Sequence, residues 1–443
     1  MIRNFRLRYL ILYAFIGIAS WFYLSGILNV PFHPDESTYI YTSSDFELFF
    51  QEPSSIFWQP DPSDALRQRY RLLDPPLVPT WIGFSRWVTG QPALPVDWDW
   101  SKTWEENSNA GALPDPGLLQ TARLAIGLFF PLTLFFAFRA GKALGGELTG
   151  WIAMLLTWSN ALILLHTRRA MAEGLLVLGV FFSLWALTAW KKHLWLSAIP
   201  LALAFNAKYS AAPLALVGIG AILWASGDKN ISWRQKMIRL ARFLALLGGI
   251  TLLLNPFLWA HPFQALTAAL DARVDFMAAQ SADYFSTDTP LAPANFFQSL
   301  LAMTVQLFFT PPASAEVANY LPQTQIFIDR YLANPFNSLL RSFAGGGVQL
   351  GLVLLGLVAI VRGMFGKTAN QNKQELALFL GALLLETIFM LVTTNVAFQR
   401  YYMVLVPMVV LTGSLGISSL VNAIRTLFIG LLNQNKPHPP ASL

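Results

Sequence analysis

Long apolar runs separated by polar segments make up most of this chain. The first run follows the basic start MIRNFRLR and covers about residues 9–30. Nine further runs lie at about residues 118–138, 148–165, 172–190, 194–207, 210–226, 238–260, 344–361, 376–394 and 400–420. Because about 20 apolar residues span a bilayer as a helix, the pattern predicts an all-α polytopic membrane protein with about ten transmembrane helices.

Two apolar segments, the first run and residues 294–309, each allow a second interpretation. A basic start before an apolar run is also typical of a signal peptide, but this run is too long and no A-x-A site follows it. We therefore expect a retained first span. Residues 294–309 are also apolar, but a span there would move the basic segment 362–373 to the outside. The positive-inside rule opposes that arrangement, so these residues are predicted to form an interfacial helix.

The polar segments divide the chain into a membrane bundle and two outer regions. A first outer loop is expected at about residues 31–117 and a second at about 261–343, each carrying interfacial helices, whereas the inner loops are short. We interpret residues 1–432 as a single transmembrane domain and residues 433–443 as a short disordered tail.

Composition strengthens this interpretation. Apolar residues make up 55% of the 443 positions and charged residues 12%, about half the share in a soluble globular protein. A soluble multidomain enzyme is excluded, because no soluble fold covers so much apolar surface. The chain has no cysteine, which excludes disulfides, thiolate metal sites and a cysteine nucleophile.

The net charge of +6 conceals a strong asymmetry. Of the 30 basic residues, 17 fall in the predicted inner segments, which contain only three of the 24 acidic residues. The outer segments contain 20 acidic residues, and Glu386 lies within a span. This distribution predicts a multi-pass plasma-membrane protein with cytoplasmic termini and outward-facing chemistry. It gives no reason to expect nucleic-acid binding.

The first candidate site follows the first span, in the segment HPDESTY that begins at His33. A proline followed by two acids is a good helix start, because acids in the first turn meet the positive end of the helix. That role alone would account for Asp35 and Glu36. Their position just beyond a span, however, also suits a reaction on a substrate dissolved in the lipid.

Further candidates lie at other predicted span boundaries. Asp74 precedes two prolines, which favour an extended conformation. Arg169 and Glu173 have the spacing of a local helical ion pair, whereas Arg168 would point elsewhere and suits phosphate oxygens. The remaining outer-side candidates are Lys208, His261, Arg400 and Tyr401. Snorkelling would account for the two cations and packing for the histidine. Glu386, as an intramembrane acid, is a functional candidate or a partner for another helix.

In this order, these segments resemble the lipid-carrier-dependent GT-C glycosyltransferases, the group of protein O-mannosyltransferases and the bacterial aminoarabinose transferase. The segment from His33 to Tyr39 is similar to the family's Asp-Glu motif, and DPPL at Asp74 to its acidic-Pro-Pro-Leu element. The segment RRAMAE ending at Glu173 is similar to its Arg…Asp/Glu motif. The segments NPFLW…P at 255–262 and RYY…P at 400–407 resemble later elements. The resemblance covers about residues 10–420.

The resemblance implies a GT-C-type bundle that transfers a sugar from a polyprenyl-phosphate donor to a lipid, glycan or protein acceptor at the extracytoplasmic face. It implies a catalytic role for Asp35, with Glu36 beside it. Substrate binding would fall to Asp74, Arg168, Arg169, Glu173, Lys208, His261, Arg400 and Tyr401. The chain departs from the family in having Glu173 where an Asp is frequent and Asp74 where a Glu is frequent.

Two questions stay open at the level of sequence. A divalent ion is a candidate cofactor, with His33, Asp35, Glu36 and Glu173 as suitable ligand types. A transporter or flippase for lipid-linked glycans is the competing class, since Glu386 and an expected kink of the seventh span at Pro256 would suit it. Transporters, however, commonly contain two related halves, and no internal repeat is found here.

Overall fold

The computed structural model describes residues 2–224, 231–285, 293, 295–315, 320–366 and 372–434. Every regular element in these residues is a helix, as the apolar pattern predicted. The N-terminal half contains α1 (Ile2–Ser25), α2 (Pro34–Thr42), α3 (Asp45–Gln51), α4 (Ala65–Leu73), α5 (Leu77–Thr89), α6 (Trp104–Ala110), α7 (Pro116–Gly127), α8 (Phe130–Gly145), α9 (Glu147–Ser159), α10 (Ala161–His166), α11 (Glu173–Ala189), α12 (Ala198–Ala207) and α13 (Pro213–Trp224).

Seven α-helices follow in the second half. They are α14 (Trp233–Leu254), α15 (Pro262–Phe285), α16 (Phe296–Thr304), α17 (Leu321–Leu332), α18 (Phe343–Phe365), α19 (Lys373–Thr393) and α20 (Val406–Gln434). Helices α2–α6 lie in the predicted first outer loop and α15–α17 in the second. The predicted tail is only partly described, because residues 433 and 434 end α20 and residues 435–443 lie outside the described part.

Six helical stretches among the described residues are long and apolar enough to cross a membrane. They are Leu7–Asn29, Pro116–Gly145, Trp233–Leu254, Phe343–Phe365, Lys373–Thr393 and Val406–Ile429. The predicted count of about ten is therefore not reached by length and composition alone. Helix α12, for example, has 10 residues and is only about 15 Å long at 1.5 Å per residue.

Two predicted spans differ from the expectation, since one is divided and the other ends early. The run at 148–165 is divided at Asn160, whose side chain accepts hydrogen bonds from the first backbone N–H groups of α10. Pro256 was expected to kink the seventh span, but α14 ends at Leu254 and Pro256 begins a 3₁₀ turn. Proline cannot donate the backbone hydrogen bond that would continue the helix.

Helix α11 lies at the centre of the bundle. It packs against α8, α12, α19 and α20, and most of its side chains are buried. Ion pairs at one end of the bundle join segments that were predicted to lie on the same side. Arg8 of α1 contacts Glu147 of α9 at 3.2 Å, and Lys191 pairs with Glu375 of α19. The candidate residues of the first outer loop lie at the opposite end.

Helices α18 and α20 pack closely because glycines face each other across their interface. A Cβ added at Gly356 would clash with the backbone carbonyl of Thr412, and one at Gly416 with that of Leu352. Small residues permit such close approach between membrane helices, where dispersion contacts replace the hydrophobic effect.

We predict that Gly356→Ala destabilises the protein by about 1–3 kcal/mol, because the new methyl group overpacks this interface. Gly351→Ala is the matched control on the same helix, since an added Cβ there meets no atom within 4 Å. Unfolding of the two variants in detergent, followed by tryptophan fluorescence, measures the difference. Equal stability of the two variants would contradict the packing argument.

Candidate functional site

Helix α2 begins with a capping arrangement that fixes the direction of Asp35. The His33 Nδ1 atom accepts the backbone N–H of Asp35 at 3.1 Å, and Glu36 Oε1 accepts the backbone N–H of His33 at 3.1 Å. Pro34 occupies the first helical position, where its fixed φ suits the helix. The helix start predicted from the segment HPDE is confirmed.

Glu36 and Arg123 form a bidentate ion pair in the interior. The Arg123 Nε and Nη2 atoms donate to the two carboxylate oxygens of Glu36, each at 2.7 Å, and both side chains are at most 2% exposed. The backbone N–H of Ala170 adds a bond of 3.0 Å to Glu36 Oε2. Burial opposes ionisation of Glu36, but the Arg123 guanidinium outweighs it and lowers the pKa of the carboxyl.

This geometry changes the role expected for Glu36. Both of its oxygens accept hydrogen bonds within the fold, and its side chain is fully buried. The predicted catalytic role is therefore not favoured. Arg123 also donates to the backbone carbonyls of Ile27 at 3.0 Å and Val30 at 2.9 Å. The pair thus ties the end of the first span to α2 and α7.

Asp35 points the other way and meets the second half of the chain. Its carboxylate pairs with the Arg400 guanidinium, and its Oδ1 atom lies 3.8 Å from His33 Nδ1. The Asp35 side chain is 26% exposed, unlike that of Glu36. The Arg400 guanidinium also lies 5.5 Å from the ring centroid of Tyr401. A carboxylate and a cation from opposite ends of the sequence therefore share one site.

A second ion pair lies beside the first. Lys208 Nζ donates to Glu173 Oε1 at 2.6 Å and lies 5.7 Å from the ring centroid of Tyr401. The Tyr401 hydroxyl accepts a hydrogen bond of 2.9 Å from Gln280 of α15. Tyr401 thus contacts the cations of both pairs, and the two pairs form one cluster. We call the residues Asp35, Glu173, Lys208, Arg400 and Tyr401 the charged cluster.

Asp74 borders the charged cluster. It ends α4 in an extended conformation, as its two following prolines predicted. Burial raises the pKa of Asp74 to about 6, and the negative charge of Asp35 adds to this effect, while Lys208 opposes it. Asp74 also lines a cavity of about 250 Å³. Asp74 therefore interacts electrostatically with the charged cluster and also borders the cavity.

His33 remains neutral over the ordinary pH range. Burial lowers its pKa to about 3, and the nearby Arg400 acts in the same direction. Its ring lies 5.8 Å from that of Tyr320 and 6.4 Å from that of Trp100. A neutral ring keeps the Nδ1 lone pair available for the Asp35 backbone N–H, so His33 supports the direction of Asp35.

The four candidate metal ligands do not converge. In the described part of the chain, no three His, Asp or Glu side chains lie together in an arrangement that could hold a metal ion. Glu36 contacts Arg123 and Glu173 contacts Lys208, while Asp35 contacts Arg400. Each of these carboxylates thus has a cation of the protein as its partner.

Three predicted binding residues lie away from the charged cluster. Arg168 lies over the ring of Tyr23 at 4.9 Å and donates to the Tyr23 carbonyl at 3.0 Å. Arg169 donates to the carbonyls of Pro31 and Ser314 and is fully buried. His261 is exposed and packs beside Trp58.

The expected helical pair of Arg169 with Glu173 does not form. Residues 167–172 are turn and bend, so the two side chains do not share a helix face. Glu173 pairs with Lys208 instead. The i,i+4 spacing predicted the wrong partner for Glu173 because the segment between α10 and α11 is irregular.

The sequence interpretation missed Arg123 and Gln280. An arginine within an apolar run is costly in a membrane unless it is paired, and this signal marks Arg123. No comparable signal marks Gln280, because only the fold brings α15 to Tyr401. Tyr39, which follows Asp35 by one helical turn, also belongs to the neighbourhood, since Asp74, Glu173 and Asp35 all act on its pKa.

Comparisons with known proteins complete this description. No family model and no curated protein matches the chain. The solved structures similar to it include the archaeal oligosaccharyltransferase AglB from Archaeoglobus fulgidus in complex with an inhibitory peptide and a dolichol-phosphate. That similarity has 12% identity and a TM-score of 0.49, and covers 96% of this chain and 52% of that chain. The chain thus spans about half the length of this relative.

A second similarity involves the S. cerevisiae protein O-mannosyltransferase Pmt1-Pmt2 complex bound to the sugar donor. It has 15% identity and a TM-score of 0.39, and covers 57% of this chain and 33% of that chain. Both solved proteins are GT-C glycosyltransferases, the class that the sequence motifs resemble. With TM-scores of 0.49 and 0.39, these similarities assign no activity to this chain.

Arg123→Met is expected to destabilise the protein by about 3–5 kcal/mol, because it leaves the Glu36 carboxylate buried without its cation. Arg8→Met removes an exposed ion pair and should cost less than about 1 kcal/mol. Unfolding of both variants in detergent provides the comparison. A cost at Arg123 as small as that at Arg8 would refute the anchoring role.

The raised pKa of Asp74 predicts a pH-dependent effect on stability. The folded protein retains this proton between about pH 4 and pH 6, where an unfolded aspartate has lost it. Stability is therefore lost as the pH rises through this window. Asp74→Asn should stabilise the protein by about 2 kcal/mol more at pH 7 than at pH 4.

Thermal unfolding of the Asp74 variant and the wild type across this pH range tests the sign. Asp99→Asn is the control, since Asp99 is exposed and Ser101 donates to its carboxylate. A gain from Asp74→Asn that does not change with pH would count against the assignment.

Proposed function

We propose that this protein is an integral-membrane glycosyltransferase that moves a sugar from a polyprenyl-phosphate donor to an acceptor hydroxyl. The observation that carries the proposal is the charged cluster, in which one partly exposed carboxylate adjoins two cations. Asp35 comes from the first turn of α2, whereas Lys208 and Arg400 come from other helix ends. Transfer from a lipid phosphate needs a base for the acceptor and positive charge for the leaving group.

Asp35 is the proposed general base. It removes the proton of the acceptor hydroxyl as the acceptor oxygen forms its bond to the anomeric carbon. The bond between that carbon and the phosphate oxygen breaks, and its electron pair leaves with the polyprenyl phosphate. A single displacement of this kind inverts the anomeric carbon. The capping arrangement of α2 gives Asp35 a fixed direction for this step.

Lys208 and Arg400 are the proposed phosphate ligands. Each now pairs with a carboxylate, Lys208 with Glu173 and Arg400 with Asp35. A bound phosphate would compete for both cations through charge-assisted hydrogen bonds. The shift of Arg400 towards the phosphate would release Asp35 from its counter-ion, so that its carboxylate is free to accept the proton of the acceptor. Donor binding would in this way prepare the base for the acceptor.

The location of the cluster supports chemistry at a membrane surface. Asp35 lies in α2, six residues beyond the candidate span Leu7–Asn29. We place this end of the bundle at the extracytoplasmic side of the plasma membrane, with both termini in the cytoplasm, because the basic residues collect in the opposite segments. A polyprenyl phosphate would present its phosphate at this depth while its chain remains in the bilayer.

The competing proposal of a transporter rests on Glu386. This residue lies within α19 and is fully buried, and no ion pair of its carboxylate is found among the described residues. A path for a polar cargo would need more such groups along the middle of the bundle. The charged cluster lies instead at one end, which favours the transferase.

Asp35→Asn should lower the rate of sugar transfer by about 10²–10⁴-fold, because the amide cannot accept the hydroxyl proton. The assay measures labelled product formed by the purified protein from a radiolabelled polyprenyl-phosphate sugar. Asp99→Asn in the same outer loop is the control and should retain activity. Full turnover by a folded Asp35→Asn variant would sink the assignment of the base.

A further inference from the structure

The cavity beside Asp74 has a lining of mixed apolar and polar side chains. It lies between the helices of the first outer loop and the end of α14, and its volume is about 250 Å³. Its apolar lining, which we call the apolar wall, comes from α3 and the end of α14 and includes Phe46, Phe49, Phe50, Leu253 and Leu254. Its polar lining, which we call the polar wall, comes from α2 and the end of α4 and includes Thr38, Tyr39, Tyr70 and Asp74. The cavity is therefore amphipathic.

The apolar wall includes exposed side chains and the end of a candidate membrane span. Phe50 is 69% exposed and Leu253 is 68% exposed. Leu253 belongs to the candidate span Trp233–Leu254, of which little is covered by the rest of the protein. Because Leu253 lies at the end of this candidate span, we infer that the cavity meets the bilayer at this wall. An apolar group can pass into it without crossing water.

The polar wall adjoins the charged cluster. Burial and the charges of Asp74, Glu173 and Asp35 raise the pKa of Tyr39, so its phenol stays neutral. A neutral phenol both donates and accepts hydrogen bonds. Asp74 supplies a carboxylate in the same wall. These groups match a hydroxyl of a neutral molecule.

The wall is poorly suited to a phosphate. Arg71 lines the cavity, but its guanidinium donates to both oxygens of Asp45, at 2.7 and 2.8 Å, and to the Ser55 carbonyl at 2.7 Å. Its positive charge is therefore compensated within the protein. Lys208 and Arg400, the proposed phosphate ligands, do not line this cavity.

We propose that this cavity binds the acceptor and that the acceptor is an amphipathic alcohol, with an apolar chain and a hydroxyl-bearing head. The inference rests on the proposed transferase function. The chain would lie between the phenylalanines and the end of α14, and the head would reach Tyr39 and Asp74. The acceptor hydroxyl would then approach Asp35 from the cavity, while the donor phosphate occupies the cations of the charged cluster.

The first experiment tests occupancy without requiring activity. The full-length protein in lipid nanodiscs is labelled with an octyl β-glucoside that carries a photoreactive diazirine in its chain. We expect labels in α3 and at residues 253–257, displaced by unmodified octyl β-glucoside and retained in the presence of polyprenyl phosphate. Displacement by polyprenyl phosphate instead would assign the cavity to the donor chain and overturn the proposal.

The second experiment measures transfer to alkyl β-glucosides of increasing chain length. In the wild type, kcat/KM for the acceptor should rise about fourfold per methylene over the first few carbons, because each buried methylene adds to binding. Phe49→Ala should weaken this dependence and raise the acceptor KM about tenfold. Phe84→Ala, outside the cavity lining, is the matched control.

The outcomes separate the two proposals. If the protein transfers sugar but chain length has no effect, or if Phe49→Ala raises the donor KM alone, the acceptor assignment is overturned and the transferase function stands. If the cavity is labelled but neither transfer nor donor hydrolysis occurs, the transferase function is overturned and a binding site for an amphipathic alcohol remains.

Discussion

The buried pair of Glu36 and Arg123 is the constraint on which the candidate site depends. Two charges in an interior lose their hydration, and only close geometry with further hydrogen bonds offsets that loss. Here the carboxylate accepts four hydrogen bonds, and Arg123 also donates to two carbonyls at the end of the first span. The pair therefore joins residues 27–36 to Arg123 of α7 and to Ala170, which are far away in the sequence. The start of α2, and with it the direction of Asp35, follows from this junction.

The adjacent acids Asp35 and Glu36 therefore lie in different environments. Glu36 faces inward and is neutralised by a permanent partner, while Asp35 faces a site where its partner Arg400 is also available to a ligand. Because Glu36 satisfies Arg123, that guanidinium does not compete with a substrate for Asp35. The same reasoning applies to Lys208, whose pairing with Glu173 holds a cation in the site where the phosphate is proposed to bind.

Sequence reasoning reached the fold class and much of the cluster. Apolar runs located the helices, and the proline-acid start of α2 and the extended Asp74 followed from local rules. It could not predict the ion pair of Lys208 with Glu173, because residues 167–172 are irregular and the two residues lie 35 positions apart. It also could not distinguish the role of Asp35 from that of Glu36, since the burial of Glu36 depends on the position of Arg123 in another helix. Tertiary packing, which no local pattern encodes, decided both points.

Charged side chains are few in this protein, and one of them, Asp74, lies in the polar wall of the cavity. In a protein with 12% charged residues, the Asp74 carboxylate forms no ion pair among the described residues. Lys208, Arg273 and Arg400 offset its burial only in part, so its charge is held at an electrostatic cost. Its neighbour Asp35 increases that cost, which burial and the raised pKa of Asp74 reflect. A hydroxyl that donates to Asp74 would lower the cost by a hydrogen bond to its charged form. This electrostatic difference supports the proposal of a neutral alcohol at this wall and of a phosphate at the cations of the charged cluster.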